Sequence, residues 1–290
     1  MNNTVYQIIT NQIIEKLKSG TIPWHTPWKG GGNPANLISK KPYSGINTFL
    51  LSCSGYISPY WLSYKQAQSL GGSVKKGEKA SIAVFWKQIQ VDDDKNKETG
   101  EIKKKNIPLL RYYNVFNIEQ CENINPEKAP TSEIKQNFQP LQQCESVINN
   151  MPNKPDIQHK AQRAYYQPLG DFVNMPLQST FENSEEYYST LFHELTHSTG
   201  HSSRLNRHQK NHCSHHFGSQ DYSKEELVAE MGAAFLCGYT GIEMKTLENS
   251  AAYIKSWLSK LKDDVRLVIS AAAQAQKSTD YILNNPIIEY

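Results

Sequence analysis

The chain has no apolar run approaching the ~18 residues that a membrane-spanning helix requires. Its first residues also lack the basic start and short apolar stretch of an export signal. Neither a bilayer span nor secretion by a recognisable signal is expected. Cysteine is sparse: Cys53, Cys121, Cys144, Cys213 and Cys237 are odd in number and show no CxxC spacing. That argues against a disulfide framework and for a reducing cytoplasm. A phosphate loop is missing too, because the triplet Gly30-Gly31-Gly32 has neither the lysine nor the strand that such a loop needs. Net charge is small, +3 from 31 Lys/Arg and 28 Asp/Glu, so the molecule as a whole is not a polycation.

What charge there is lies unevenly. Residues 1–125 carry 16 Lys/Arg against 9 Asp/Glu, and residues 126–290 carry 15 against 19. A basic first half suits a polyanionic partner, and a mildly acidic second half suits a different task. With 290 residues, 38% of them hydrophobic, there is enough chain for two domains with real cores.

Periodicity places the elements. Val5, Ile8, Ile9, Ile13 and Leu17 fall at helical spacing over 4–18. Prolines 23 and 27 and the glycine triplet make 22–32 a loop. A turn at 43–47 leads into a helix over 48–54, and Ser63 caps another over 64–70. Residues 82–86 and 109–116 read as strands, with the charged stretch 92–105 as a solvated hairpin loop between them. The proline-containing stretch 121–140 reads as a linker. Beyond it, 143–150 reads as a helix, 156–158 and 163–167 as short strands, and 171–175 as either continuing the sheet or turning away. Helices follow over 185–200, from an N-cap at Ser223 to Cys237 with Gly238 closing it, and from a cap at Ser250 to about Ala275.

The strongest chemical signal is His193-Glu194-Leu195-Thr196-His197. On a helix, histidines four apart share one face and can grip a Zn²⁺ at ~2.0–2.1 Å. Glu194 sits about 100° around from His193, so it can reach a bound water instead of the metal. An apolar face of Tyr187, Tyr188, Leu191, Phe192 and Leu195 supplies the helical context. A catalytic zinc wants a third protein ligand and one open position. Glu226 and Glu230 lie four apart in an otherwise apolar helix, where a carboxylate without a partner is costly. Glu226 is the expected ligand and Glu230 the acceptor of a ligating imidazole's free N–H, although the reverse assignment also fits. Glu225 should face solvent. His201 competes as a ligand, but Gly200 is expected to break the helix before it, which leaves it beside the ligands. Ser203 occupies the place where one metalloprotease class has its third histidine. The cluster His208, His212, Cys213, His215 and His216 reads as a polar loop with incidental metal affinity. Tyr165, Tyr166 and His201 remain unranked candidates to steady an oxyanion.

The first half interleaves Trp24, Trp28, Tyr43, Phe49, Tyr56, Tyr60, Trp61 and Tyr64 with Lys29, Lys40, Lys41 and Lys65, followed by Lys75, Lys76 and Lys79. Rings that stack on bases beside cations that track phosphates are what a single strand requires. At least half of these rings should be core, with Trp24 and Trp28 the least core-like.

Several of these segments resemble a known family. Pro23-Trp24, Pro27-Trp28, Tyr43-Ser44-Gly45-Ile46-Asn47, and Gln66-Ala67 through Gly71-Gly72 to Lys76-Gly77-Glu78-Lys79 are similar to the N-terminal domain of the ArdC-type antirestriction proteins, shared with some plasmid conjugative primases. The stretch from His193 to His201, Phe217-Gly218-Ser219 and Glu225 to Leu236 resemble that family's zincin domain. Tyr253 to Leu258 and Ala271 to Lys277 resemble its tail. Two departures are the His-rich stretch 208–216 and Ser198 in place of a common tryptophan.

The resemblance implies an α+β protein of two domains. A single-stranded-DNA-binding α/β domain would occupy 1–125, a linker 126–142, and a zincin-like metallopeptidase domain with a small sheet and active-site helices 143–290. It also implies a mobile element protecting incoming DNA, zinc on His193, His197 and a glutamate of the later helix, and a partner in single-stranded DNA. The DNA-binding candidates are Trp24, Trp28, Lys40, Lys41, Tyr43, Asn47, Lys75, Lys76 and Lys79. Glu194 would act as general base in hydrolysing a peptide bond, in DNA-bound proteins or in the chain itself. Two other readings stand beside this one. In the first the zinc site is structural and protection comes from covering DNA; in the second the first half binds protein.

Overall fold

The computed structural model describes residues 2–19, 33–56, 58–95, 102–124, 140–207, 220–242 and 251–286. The protein is α+β with two domains. Helix α1 (Asn2–Lys18) buries Val5, Ile9, Ile13, Ile14 and Leu17, the stripe its periodicity requires. Strand β1 (Ala35–Asn36) runs parallel to β2 (Tyr60–Leu62), with α2 (Ile46–Ser52) between them. Helix α3 (Tyr64–Ser69) starts on a capping box. Ser63 Oγ accepts from the Gln66 N–H at 3.3 Å, and Gln66 Oε1 accepts from the Ser63 N–H at 2.7 Å. Strand β3 (Ser73–Val74) later pairs with β6 (Cys121–Glu122).

The long hairpin of β4 (Ser81–Lys95) and β5 (Ile102–Asn117) completes a sheet of order β1-β2-β5-β4. Here the structure corrects the sequence reading: the charged stretch expected as a loop from 92 continues the ladder, with Asp92 opposite Lys104 and an irregularity between Asp92 and Lys95. Backbone pairing between two strands needs no apolar sequence pattern, so a charged stretch can continue a ladder.

The second half begins with α4 (Pro140–Asn150). Strands β7 (Asp156–Gln158), β8 (Tyr165–Gln167) and β9 (Phe172–Asn174) form a sheet of order β7-β9-β8, with β7 parallel and β8 antiparallel to the centre. Helix α5 (Ser184–Ser198) is capped by Asn183, whose side chain accepts from the Glu186 N–H at 2.9 Å. Helix α6 (Gln220–Thr240) begins before Ser223 and continues past Gly238, so neither is its boundary. Gly241, at φ +72°, stands immediately after it. The expected single C-terminal helix is two, α7 (Ala251–Asp263) and α8 (Leu267–Ile282). They break where the Asp264 carboxylate accepts from the Arg266 N–H at 2.8 Å. The expected linker falls mostly on residues outside those described, as do Cys213 and the His-rich stretch.

Helix α6 explains the packing. Leu227, Val228, Met231 and Phe235 enter one core, with residues of α1, α2, β4, β5, α7 and α8. Ala233, Ala234, Leu236 and Cys237 enter another, with α4, β9 and α5. A helix serving two cores must be apolar on most of its surface, as its sequence is. The four described cysteines are buried thiols, and burial pushes Cys53 up to about 12 and Cys144 up to about 11. They serve as packing groups. No helix among the described residues is long and apolar enough to cross a membrane.

Helices α5 and α6 meet closely at Gly232, where a Cβ would stand 2.5 Å from Thr196 Cγ2 and 2.7 Å from Thr196 Oγ1. Gly232→Ala is therefore expected to cost ~1–3 kcal/mol through overpacking. Urea denaturation checks this, and an unchanged midpoint would mean the two helices are not held at that spacing.

Candidate metal centre

The metal candidates come from the facing sides of α5 and α6. His193 and His197 are one turn apart on α5, their rings at 4.7 Å between centroids and nearly perpendicular. Their Nε2 atoms lie 3.1 Å apart. Glu226, in the early part of α6, sends Oε2 to 3.6 Å from His193 Nε2 and Oε1 to 3.6 Å from His197 Nε2. One donor atom from each of these three residues falls within 4.8 Å of the others. Two nitrogens sharing a tetrahedral Zn²⁺ at ~2.0–2.1 Å would stand about 3.4 Å apart, so the spacing fits one ion.

The donor chemistry fits as well. His197 Nδ1 lies 3.3 Å from Glu225 Oε1, and a carboxylate bound to arginine can only accept. The ring proton therefore sits on Nδ1, and the Nε2 lone pair points at His193 and Glu226. For His193, burial works against a charged ring. The bond to Glu226 and the charges of Glu194, Glu230 and Glu226 outweigh it and raise the pKa to about 9. The same carboxylate charge that favours a proton on this ring favours a divalent cation in its place, and the two compete for the imidazole lone pair.

The structure revises two expectations about the surrounding acids. Glu225 does not face solvent: it is paired with His197 and with Arg207 at 2.7 Å. Nor does Glu230 accept an imidazole N–H. It is buried and acts on His193 through its charge, while His193 Nδ1 is buried with no hydrogen-bond partner. The cause is register. Position 225 precedes 226 by one residue and reaches the outer side of His197, whereas position 230 lies a full turn farther along. Glu194 is buried beside the ligands. His201 is not among the converging atoms; its Nδ1 accepts from the Ser203 N–H at 3.2 Å.

A second polar network ties the small sheet to the end of α5. Arg204, its side chain 1% exposed, donates to Ser198 O at 2.7 Å and to Asn153 O at 2.8 Å, and pairs with Asp171. Tyr166 donates its hydroxyl proton to Asp171 at 2.9 Å, so that hydroxyl is committed and is not presented as an oxyanion donor. Tyr165 lies edge-on against Phe172.

In the first half, a groove of about 720 Å³ lies between the edge strand β4, the start of α2 and helix α8. Lys41, Tyr43 and Asn47 line it as expected residues, together with Phe85, Trp86, Tyr113, Ile269 and Gln276. Asn47 is committed to structure, exchanging two 2.7 Å hydrogen bonds with the backbone of Val84. Tyr43 is half-buried, and burial raises its pKa. Lys40 lies over the Tyr60 ring at 5.1 Å, and Lys75 donates to Glu119 O at 2.8 Å. Lys76 and Lys79 are exposed. Trp24 and Trp28 fall outside the described residues. Sequence reasoning missed Phe85, Trp86, Tyr112 and Tyr113, all more than one-third exposed. The signal was adjacent aromatic pairs within strands, where successive side chains take opposite faces.

Residues 3–116 match the N-terminal domain of the anti-restriction factor ArdC, and residues 142–274 match a zincin-like metallopeptidase. Among solved structures, the metal-free antirestriction protein ArdC from the R388 plasmid is 37% identical, with a TM-score of 0.75 and 97% of each chain covered. The chain belongs to the ArdC-type antirestriction family. The Mn(II)-bound structure of that R388 protein is 36% identical over 97% of each chain, with a TM-score of 0.73. A DNA primase TraC of Escherichia coli is 35% identical over 96% of this chain, but this chain spans only 20% of that relative's length. A zincin-like fold is one built around a divalent cation.

Removing Glu226 should take away a donor that Glu230 cannot replace. Glu226→Ala is expected to weaken Zn²⁺ binding by more than the ~10–100-fold typical of an outer partner, and Glu230→Ala to weaken it less. Competition with a chromophoric chelator measures both, and the reverse order would assign the third donor to Glu230.

Proposed function

We propose that this chain is a single-stranded-DNA-binding antirestriction protein of a mobile element that works in the cytoplasm during conjugative transfer and carries a zinc-dependent peptidase. The functional division follows the sequence, with DNA binding centred on 1–125 and the peptidase on 143–290. The observation that carries the peptidase reading is the convergence of His193, His197 and Glu226, three donors with the buried Glu194 beside them. Three protein donors leave a tetrahedral ion one position for water or substrate, which distinguishes hydrolytic zinc sites from structural ones.

When bound, zinc supplies a Lewis acid for the scissile carbonyl and lowers the pKa of water towards ~7. Glu194 takes the proton of the attacking water and passes it to the leaving amine. His193 and His197 orient from one helix face, with the Glu226 side chain partly open to solvent. The protein substrate fits either a protein on the DNA or this chain itself.

The single-strand reading rests on the groove. Among the described residues, Lys41 is the one charged residue lining it, and Phe85, Trp86 and Tyr113 offer ring faces. Flat bases stack on such rings whatever their sequence, while the cation neutralises phosphate. The lining from α8 makes the C-terminal part contribute to the same site.

Two experiments test these readings. Glu194→Gln should retain zinc and lose cleavage of casein or of the chain itself; cleavage at the wild-type rate removes Glu194 as base. If wild-type protein loaded with zinc cleaves nothing, with or without single-stranded DNA, the peptidase assignment falls and covering of DNA becomes the activity. Trp86→Ala should weaken binding to a labelled single-stranded oligonucleotide by ~1–3 kcal/mol with an unchanged salt slope. Lys41→Ala should instead flatten the slope of log K against log salt by about 0.7. Unaltered binding in both variants would place the strand elsewhere.

A further inference from the structure

We infer that Arg207 is a positioning residue for the metal centre, fixing the ring of His197 through Glu225. The inference rests on the metal reading above. It begins from a count of donors. A guanidinium has five N–H groups in a rigid plane. In Arg207 they make five contacts: Nε to Glu225 Oε2 at 3.2 Å, one terminal nitrogen to Glu225 Oε1 at 2.7 Å and Thr196 O at 3.0 Å, and the other to Thr199 Oγ1 at 2.6 Å and Ser278 Oγ at 2.9 Å. The group is 9% exposed. A buried cation with every donor satisfied is held in one place, because moving it would strand several hydrogen bonds in a site of low dielectric.

The five contacts join three helices. Thr196 and Thr199 belong to the last turn of α5 and the residue after it, Glu225 to α6, and Ser278 to α8. Thr196 O, at the end of α5, also accepts from the Thr199 N–H at 3.2 Å and the Thr199 hydroxyl at 2.6 Å, so Arg207 joins an existing terminal network. The two bonds to Glu225 are parallel and bidentate, so the carboxylate can neither rotate nor swing away. It then presents Oε1 to His197 Nδ1 at 3.3 Å. An ionised acceptor fixed at that atom holds the N–H there and turns the Nε2 lone pair toward His193 and Glu226. His193, by contrast, has no hydrogen-bond partner at Nδ1, and its polar contacts lie at Nε2, toward Glu226 and His197. The centre is thus anchored asymmetrically, with a charged clamp behind the Nδ1 of one ring and no polar partner behind the Nδ1 of the other. Lysine cannot substitute, since an ammonium has three donors and no fork.

The test compares Zn²⁺ affinity, by chelator competition, in the full chain and in Glu225→Ala, Arg207→Ala, Arg207→Lys and the double alanine variant, alongside the melting temperature of each without metal. A ~10–100-fold loss is expected for each single alanine variant, with Arg207→Lys closer to the alanine variant than to wild type. Because arginine acts through the glutamate, the double variant should lose no more than Glu225→Ala alone. Long-range proton–nitrogen spectra should also show His197 leaving the Nδ1–H tautomer in Arg207→Ala. If Arg207→Ala does not fold, Arg207→Lys and Ser278→Ala carry the same comparison, the latter with a smaller loss. Wild-type affinity in folded Arg207 variants, or losses that multiply in the double variant, would overturn the inference while leaving the metal reading intact. A wild-type chain that binds no Zn²⁺ would remove both.

Discussion

The close contact between α5 and α6 is the constraint on which the rest of this molecule depends. Neither helix holds a complete set of donors. The imidazoles come from one and the carboxylate from the other, and their atoms converge only because the helices meet at glycine spacing, Gly232 against Thr196. A cation site of this kind tolerates little slack, since a donor displaced by an ångström no longer reaches an ion with bonds of ~2 Å. The apolar cores on both sides of α6 supply that rigidity. Its two faces are each fully engaged, so rotating the helix to relieve one core would disrupt the other.

That arrangement also accounts for how the two halves of the chain meet. Helix α1, near the start of the sequence, packs into the same core as α6, α7 and α8. Gln276 of α8 accepts from the Gly45 N–H at 2.9 Å and helps line the aromatic groove, while Ser278, two residues on, holds Arg207. One helix therefore borders the groove and also buttresses the metal centre. This is structural adjacency.

Much of the candidate site was legible in the sequence because its signals are local. Two histidines four apart flanking a glutamate on an amphipathic helix report their own geometry. A buried carboxylate in an apolar helix reports its need for a positive partner. Glu226 was preferred to Glu230 on the sequence with the reverse left open, and the converging donor atoms include Glu226; Glu225 was misread, because helical phase relative to a second helix is set by packing that no periodicity encodes. The DNA candidates were chosen by composition, and two of them make structural contacts: Asn47 with the Val84 backbone and Lys75 with a carbonyl. The exposed rings of β4 and β5 were overlooked because a strand's two faces can be told apart only when the partner layers are known.

By itself, then, the sequence determined the helix that carries the histidines, its cap at Asn183, the capping box at Ser63 and the apolar character of α6. Each is fixed by interactions spanning a few residues. Only the tertiary structure decided which acid faces the imidazoles, that Arg207 closes on Glu225, and that α8 borders the groove. Those pairings join residues from 18 to more than 200 positions apart. They depend on how complete elements stack and on what side-chain volume allows between them, a property of the assembled cores and not of any one segment.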